Sequence, residues 1–288
     1  PQAGEVTWMD QVKGPITVAN SELDDLVILR GDGVPTYNFG VVIDDLDMNI
    51  TDVIRGDDHV NNTPRQINIY KALGAALPKF GHVPMILGHD GERLSKRHGA
   101  VSVMQYRDEG FLPEALVNYL ARLGWSHGDD EKFSREQLVE WFDLAHISKS
   151  PARFDPDKLL WLNQQYLREA DSYRLADLVQ PFFAADGCST DGGPALFAVI
   201  DLLRPRASSL RELADAAVFF YRPLEPSAAL REQHYTRDVR PALDDLYARF
   251  TACVWNRAAI NDVVKAVVGA HALKMPKLAM PLRVMVTG

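Results

Sequence analysis

Cysteine is almost missing from this chain. The 288 residues include two, Cys188 and Cys253, far apart in sequence. Two thiols build no disulfide framework and no four-thiol zinc site, and they fit a reducing compartment. Long apolar runs are absent as well: no stretch approaches the roughly 20 residues a membrane helix needs. The opening residues, Pro1 to Glu5, lack the basic start and apolar core of a signal peptide. Nor is there an excess of cations. Lys and Arg number 31 against 39 Asp and Glu, a net charge of −8, with acid in excess in both halves. That balance argues against non-specific coating of nucleic acid, which needs clustered cations, but leaves room for a partner docked on local patches. Hydrophobic residues at 47% and charged residues at 24% are ordinary globular composition. The length suffices for about two domains. A cytoplasmic protein with no membrane partner is expected.

What is present falls into two textures. Near the start, Val6–Trp8 and Pro15–Val18 flank a turn at Lys13 and Gly14 and predict a hairpin. Leu26–Leu29 predicts a short buried strand closed by the turn Gly31–Gly33. From Pro35, residues Tyr37, Val41 and Asp44 share one face of a predicted helix. Thr51–Arg55 predicts a further strand, followed by the polar run Gly56–Asn62. Thr63 and Pro64 read as a helix start, Thr63 as N-cap and Pro64 as first helical residue. Ile67, Tyr70 and Leu73 then recur at helical spacing, and Gly74 suits the C-terminal cap.

From about residue 100 the pattern turns helical. Pro113 opens a helix with Leu116, Tyr119, Leu120 and Leu123 on one face, stopped by Gly124. Ser134 and Gln137 have capping-box spacing. Asp155 and Pro156 begin a helix carrying Leu159, Leu162 and Tyr166. Helical periodicity recurs over 173–184, 194–204, 209–221, 237–251 and 256–272, and Asp186–Pro194 reads as an exposed loop. Past His271 come Lys274, Lys277 and Arg283 with no acid, which fits either a docking patch or a solvated terminus. The fold class predicted is α/β followed by all-α.

Two clusters could carry chemistry. In Gly88–Ala100, a Gly-containing turn leads to Arg93, Ser95, Lys96 and Arg97. Lysine is a compact charge on a flexible stem, and Ser with loop amides can donate to phosphate oxygens. The Walker A pattern is absent, and a solvated basic loop has the same composition. The second cluster, Asp32–Gln66, holds Asp44, Asp45, Asp47, Asp52, Asp57 and Asp58. These could suggest a cation site, although helix ends and surface account for most of them. Arg55 is more informative, because ligands bind at strand C-termini in open α/β sheets and an Arg there can fork onto a carboxylate. His59 alone reads as structural.

The segments Pro35–Asp45, Val53–His59, Asn62–Gln66 and Arg93–Gly99 closely resemble the bacterial glutamyl-tRNA synthetase family, in order and spacing. The likeness continues through Val103–Tyr106, Leu123–Ser126, Lys158–Asn163 and Pro281–Val284, and so covers nearly the whole chain. Leu94–Arg97 corresponds to the family's second class I signature, usually written KMSKS. The resemblance implies the C-terminal part of a class I Rossmann-like catalytic domain over 1–100. A stem-contact connecting region over 101–165 and a helical anticodon-binding domain over 166–288 would follow. It disfavours glutaminyl relatives, which carry β-barrels at that end, and tRNA-modifying paralogues, which lack the helical half.

The activity implied is ATP-dependent formation of glutamyl-adenylate, then transfer to the terminal adenosine of tRNA(Glu). By the same resemblance Lys96 and Ser95 are catalytic, and Asp58, His59, Ile86, Arg93 and Lys96 bind ATP. Tyr37 and Arg55 bind glutamate. Mg²⁺ is expected with ATP, without a dedicated protein cage and without a zinc site in this span; a monomer is expected. Some family members have Asn where this sequence has Val41, whose side chain cannot hydrogen-bond glutamate. The family's first signature, His-x-Gly-His, is nowhere in the sequence. The expectation is therefore a fragment that by itself does not charge tRNA. The rival class is a non-catalytic tRNA-binding module, against which Tyr37, Arg55 and Lys96 argue.

Overall fold

The hairpin at Lys13 and Gly14 forms. Strands β1 (Glu5–Asp10) and β2 (Gly14–Ala19) pair antiparallel with Asp10 opposite Gly14. Gly14 takes a φ of +86°, a left-handed turn conformation that suits glycine. The computed structural model describes residues 2–95 and 102–287. After α1 (Tyr37–Asp47), β3 (Asp52–Gly56) and α2 (Thr63–Ala72), the chain returns as β4 (Lys79–Val83). The resulting sheet has the order β2-β1-β4-β3, with β4 parallel to both β1 and β3. Parallel neighbours require crossover connections, commonly helices. Val42 from α1 and Ile67 and Tyr70 from α2 close over Val6, Trp8 and Phe80 as one core cluster. Each such buried side chain stabilises by about 1.5–3 kcal/mol.

Two expectations change here. Leu26–Leu29 is not a buried strand: Val27, Ile28 and Leu29 are exposed, and the segment's bridge is Leu29 with Pro35. An apolar run becomes a core strand only when another layer covers it; here Thr36 takes up the carbonyls of Val27 and Ile28 instead. Thr63 is not the cap of α2 either. Asn62 occupies that position, and Thr63 is the first helical residue, fully buried, with its hydroxyl spent on other partners.

The first unit, Pro1–Tyr166, continues with β5 (Ile86–Leu87), α3 (Val103–Asp108), α4 (Pro113–Arg122), α5 (Arg135–Trp141), β6 (Ala152–Arg153) and α6 (Pro156–Glu169). β5 runs parallel to β6, with Ile86 opposite Ala152. Leu116, Tyr119 and Leu123 pack with Leu159 and Leu162, whereas Leu120 is exposed, so the buried face is narrower than its sequence pattern. Both halves of the Ser134–Gln137 capping box are made.

The second unit, Leu167–Gly288, is helical in its described residues: α7 (Ser172–Ala185), α8 (Leu196–Leu203), α9 (Leu210–Ala217), α10 (Ala228–His234), α11 (Arg240–Phe250), α12 (Arg257–Ala270) and α13 (Met275–Thr287). The connection over 186–194 is largely exposed, although Cys188 within it is buried. Residues past Met275 are no solvated tail. Leu278, Pro281 and Val284 of α13 are buried, and Leu278 packs with Ala242, Leu246 and Val267. Among the described residues no helix is long and apolar enough to cross a membrane.

Candidate active site

The site begins with register. In the parallel β3–β4 pair Arg55 lies opposite His82, so the two side chains emerge side by side near the C-terminal ends of both strands. Burial favours this pair only if every polar atom finds a partner. Arg55 Nε donates to His82 Nε2 at 3.2 Å. Arg55 Nη2 donates to Thr63 Oγ1 at 2.9 Å and to Gln66 Oε1 at 2.8 Å. Gln66 Nε2 in turn donates to Asn38 Oδ1 at 3.0 Å, which ties α2 to the start of α1. Thr63 and Gln66 thus serve the arginine from the first turn of α2. The guanidinium also lies 5.8 Å from the centre of the Phe80 ring.

Beneath the arginine sits Asp10, at the end of β1. His82 is 0% exposed and Asp10 2%. Asp10 Oδ2 is 2.5 Å from His82 Nδ1, while Oδ1 accepts the backbone N–H groups of Val12, Lys13 and His82. Burial pushes the Asp10 carboxyl up, but the His82 ring and these amides outweigh it and hold the group below its ordinary range. Burial drives the His82 imidazole below its ordinary value; Asp10 opposes this, and Arg55 and Lys13 reinforce it. Burial also lowers the Arg55 guanidinium, against the pull of the Tyr37 hydroxyl and Asp45. Neither Asp10 nor His82 stood out in the sequence; a His in the middle of a short strand was the available signal.

Tyr37, Arg55 and His59 come together. The Tyr37 hydroxyl lies 3.4 Å from His59 Nδ1, which also takes a hydrogen bond from Asn62 Nδ2 at 3.2 Å. Next to His59, the Asp58 carboxylate folds back over Gly56, where a Cβ would sit 2.6 Å from Asp58 Oδ1. Its other oxygen, Oδ2, pairs with Arg93 at 3.0 Å. This pair brings the foot of the basic loop to the strand end that carries Arg55. Leu94 N–H donates to the Ile86 carbonyl at 2.9 Å, so β5 anchors the same loop. The Ile86 side chain packs on the core of α4 and α6. Ser95 follows Leu94; Lys96 lies outside the described residues, as do Arg97, His98 and Gly99. The acids disperse rather than converge: Asp57 pairs with Lys13, Asp52 with Lys79, and Asp45 accepts from Tyr70. Among the described residues no group of three or more His, Cys, Asp or Glu could hold a metal ion.

An α/β domain with a hydrogen-bonded polar cluster at its parallel strand ends, continued by a helical unit, is the architecture of a class I tRNA synthetase. Residues 1–161 match the catalytic domain of class I tRNA synthetases (E and Q), and residues 174–288 match an anticodon binding domain. The chain belongs to this class I E and Q family. It is 70% identical over its whole length to a glutamate–tRNA ligase of Nitrosospira multiformis and 64% identical to that of Nitrosomonas europaea. It spans 62% of the length of each. Among solved structures, a glutamate tRNA ligase from Elizabethkingia meningosepticum, in complex with its amino acid, superposes with a TM-score of 0.83 at 28% identity. That match covers 99% of this chain and 61% of the other.

Proposed function

We propose that the protein carrying this span is a glutamate–tRNA ligase. It activates glutamate with ATP and transfers the glutamyl group to the terminal adenosine of tRNA(Glu). The observation that carries this reading is the Arg55 guanidinium, half-buried at a strand end and held by His82, Thr63 and Gln66 beside the Tyr37 hydroxyl. A fixed cation next to a hydroxyl suits a substrate with an acidic side chain. Little covalent work falls to the protein in adenylate formation; positioning and charge stabilisation dominate. Asp58, His59, Ile86 and Arg93 border the nucleotide, Lys96 stabilises charge on the phosphates as pyrophosphate leaves, Ser95 and Arg93 shape the loop that carries it, and Mg²⁺ arrives with ATP as part of the substrate. Residues 1–100 are assigned to the catalytic domain, 101–165 to contact with the tRNA stem and 166–288 to the anticodon. The protein works as a monomer in the cytoplasm, and this span alone does not charge tRNA.

Glutamate- and ATP-dependent pyrophosphate exchange in the full-length protein tests the assignment. Arg55→Ala should raise the KM for glutamate by about 10²-fold, on the scale of losing a charged contact, while the KM for ATP stays close to wild type. Equal loss for both substrates would refute the glutamate role of Arg55.

A further inference from the structure

We infer that Asp10 is a positioning residue for Arg55: by fixing the tautomer of His82, it decides which way the guanidinium faces. The inference rests on the reading of Arg55 as the glutamate-binding arginine and adds a residue far from it in sequence.

The argument is one of donors and acceptors. An arginine has donors only, so whatever meets Arg55 Nε must accept. That partner is His82 Nε2, which also meets the Thr63 hydroxyl at 3.0 Å. Thr63 Oγ1 already accepts from Arg55 Nη2, and its proton has two acceptors in reach, His82 Nε2 at 3.0 Å and the His59 carbonyl at 3.4 Å, so the requirement on Nε2 comes from Arg55 Nε. Nε2 must therefore be unprotonated, and the ring's single proton lies on Nδ1, facing Asp10 Oδ2. Asp10 cannot turn its other oxygen inward, because Oδ1 is held by three backbone N–H groups. The chain of consequence runs from those amides to the carboxylate, to the imidazole proton and to the arginine. His82, Thr63 and Gln66 thus commit Nε and Nη2, and the guanidinium also hydrogen-bonds the Tyr37 hydroxyl, so its orientation is fixed on the side away from the strand.

Asp10→Asn is the decisive change because it keeps size and shape. The same three amides hold the Asn oxygen where Oδ1 was, which places the NH₂ against His82 Nδ1. The ring must then accept at Nδ1 and carry its proton on Nε2, setting N–H against the Arg55 Nε–H. Wild type, Asp10→Asn, His82→Gln and the double variant would be compared in the full-length protein. The measurements are pyrophosphate exchange with glutamate and ATP varied separately, and the ¹⁵N shifts of the His82 ring. Asp10→Asn should exchange the two ring shifts and raise the KM for glutamate by about 10- to 100-fold, with the KM for ATP within about twofold, the cost of a misaligned contact. His82→Gln offers Arg55 an oxygen acceptor with no tautomer to set. Its own KM for glutamate is the baseline of the second pair, and adding Asp10→Asn to it should change that value by less than about twofold.

An exchanged tautomer with an unchanged KM for glutamate would overturn the inference, as would equal rises for both substrates. An Asp10→Asn penalty that persists undiminished in the His82→Gln background would do the same. If wild type itself gives no glutamate-dependent exchange, the functional reading falls instead. The ring shifts then still decide whether Asp10 sets His82.

Discussion

Asp10, Thr63, Gln66, His82, Asn118 and Asn163 are buried polar side chains of the first unit; in the described part of the second unit, Ser209 is the buried one. The first unit spends these groups on one another and on the backbone. Asn163 Oδ1 accepts from Leu112 N–H, Asn118 Oδ1 from Phe133 N–H, and Thr63 and Gln66 accept from Arg55. The second unit is held by apolar helix faces around Leu175, Leu213, Val267 and Leu278, and it keeps its charges outside. There Arg211 bridges Asp186 and Asp215 on the surface, and Arg249 pairs with Asp245. A buried polar group left without a partner costs about 1–3 kcal/mol, so bonded networks keep only the geometry that satisfies them all. Apolar packing stabilises without aiming any atom. The contrast teaches that the first unit is built to orient groups and the second to hold together.

This division can be tested by separating stability from chemistry. The largest effect is expected from Leu213→Ala, a fully buried position of α9, which should destabilise the second unit by about 2–5 kcal/mol in denaturant unfolding. The KM for glutamate should not move; if it does, the two units are not independent in this sense. Lys96→Ala should lower adenylate formation by about 10²-fold or more, the scale of one preorganised charge contact, with no change in unfolding midpoint. Near-normal pyrophosphate exchange would remove Lys96 from the mechanism.

The smallest effect is in pH. His82 faces Asp10, Arg55 and Lys13, and its folded pKa lies below its ordinary value of 6.5. Below that value the unfolded chain takes up a proton that the folded one refuses, so the stability of the first unit should fall as pH drops, by up to about 1.4 kcal/mol per pH unit. Asp10, also lowered in the fold, adds to the same trend below its ordinary 3.8. His82→Gln should flatten the first part of this slope. A slope unchanged in that variant would mean other groups carry it.

The parts of the fold legible in sequence were those set locally. The hairpin, α1, the Ser134 capping box and the face of α4 each depend on residues within a few positions of one another. β4 escaped because Lys79, Gly81 and His82 leave only Phe80 and Val83 as strand formers, and its place comes from pairing with β1 and β3. α13 escaped because Pro276 and Pro281 count against a helix, although Leu278 buries against α11 and α12 and Val284 is buried as well. At the site, Arg55, Tyr37 and His59 were within reach because they sit in one contiguous stretch. The bond between Asp10 and His82 joins residues 72 apart, and no local pattern encodes it.

The short ladder between β5 and β6 has a consequence for synthesis. All the residues that hold Arg55 have been synthesised once His82 has left the ribosome, since β1, β3, α2 and β4 contain them. The hairpin that begins at Ile86 must wait for Ala152 and Arg153 before its partner strand exists. At about 5–20 residues per second, that is a delay of roughly 4–14 s between the last partner of Arg55 and the partner strand of β5. A nascent chain therefore contains every partner of the Arg55 guanidinium well before the strand beside the basic loop has its own partner.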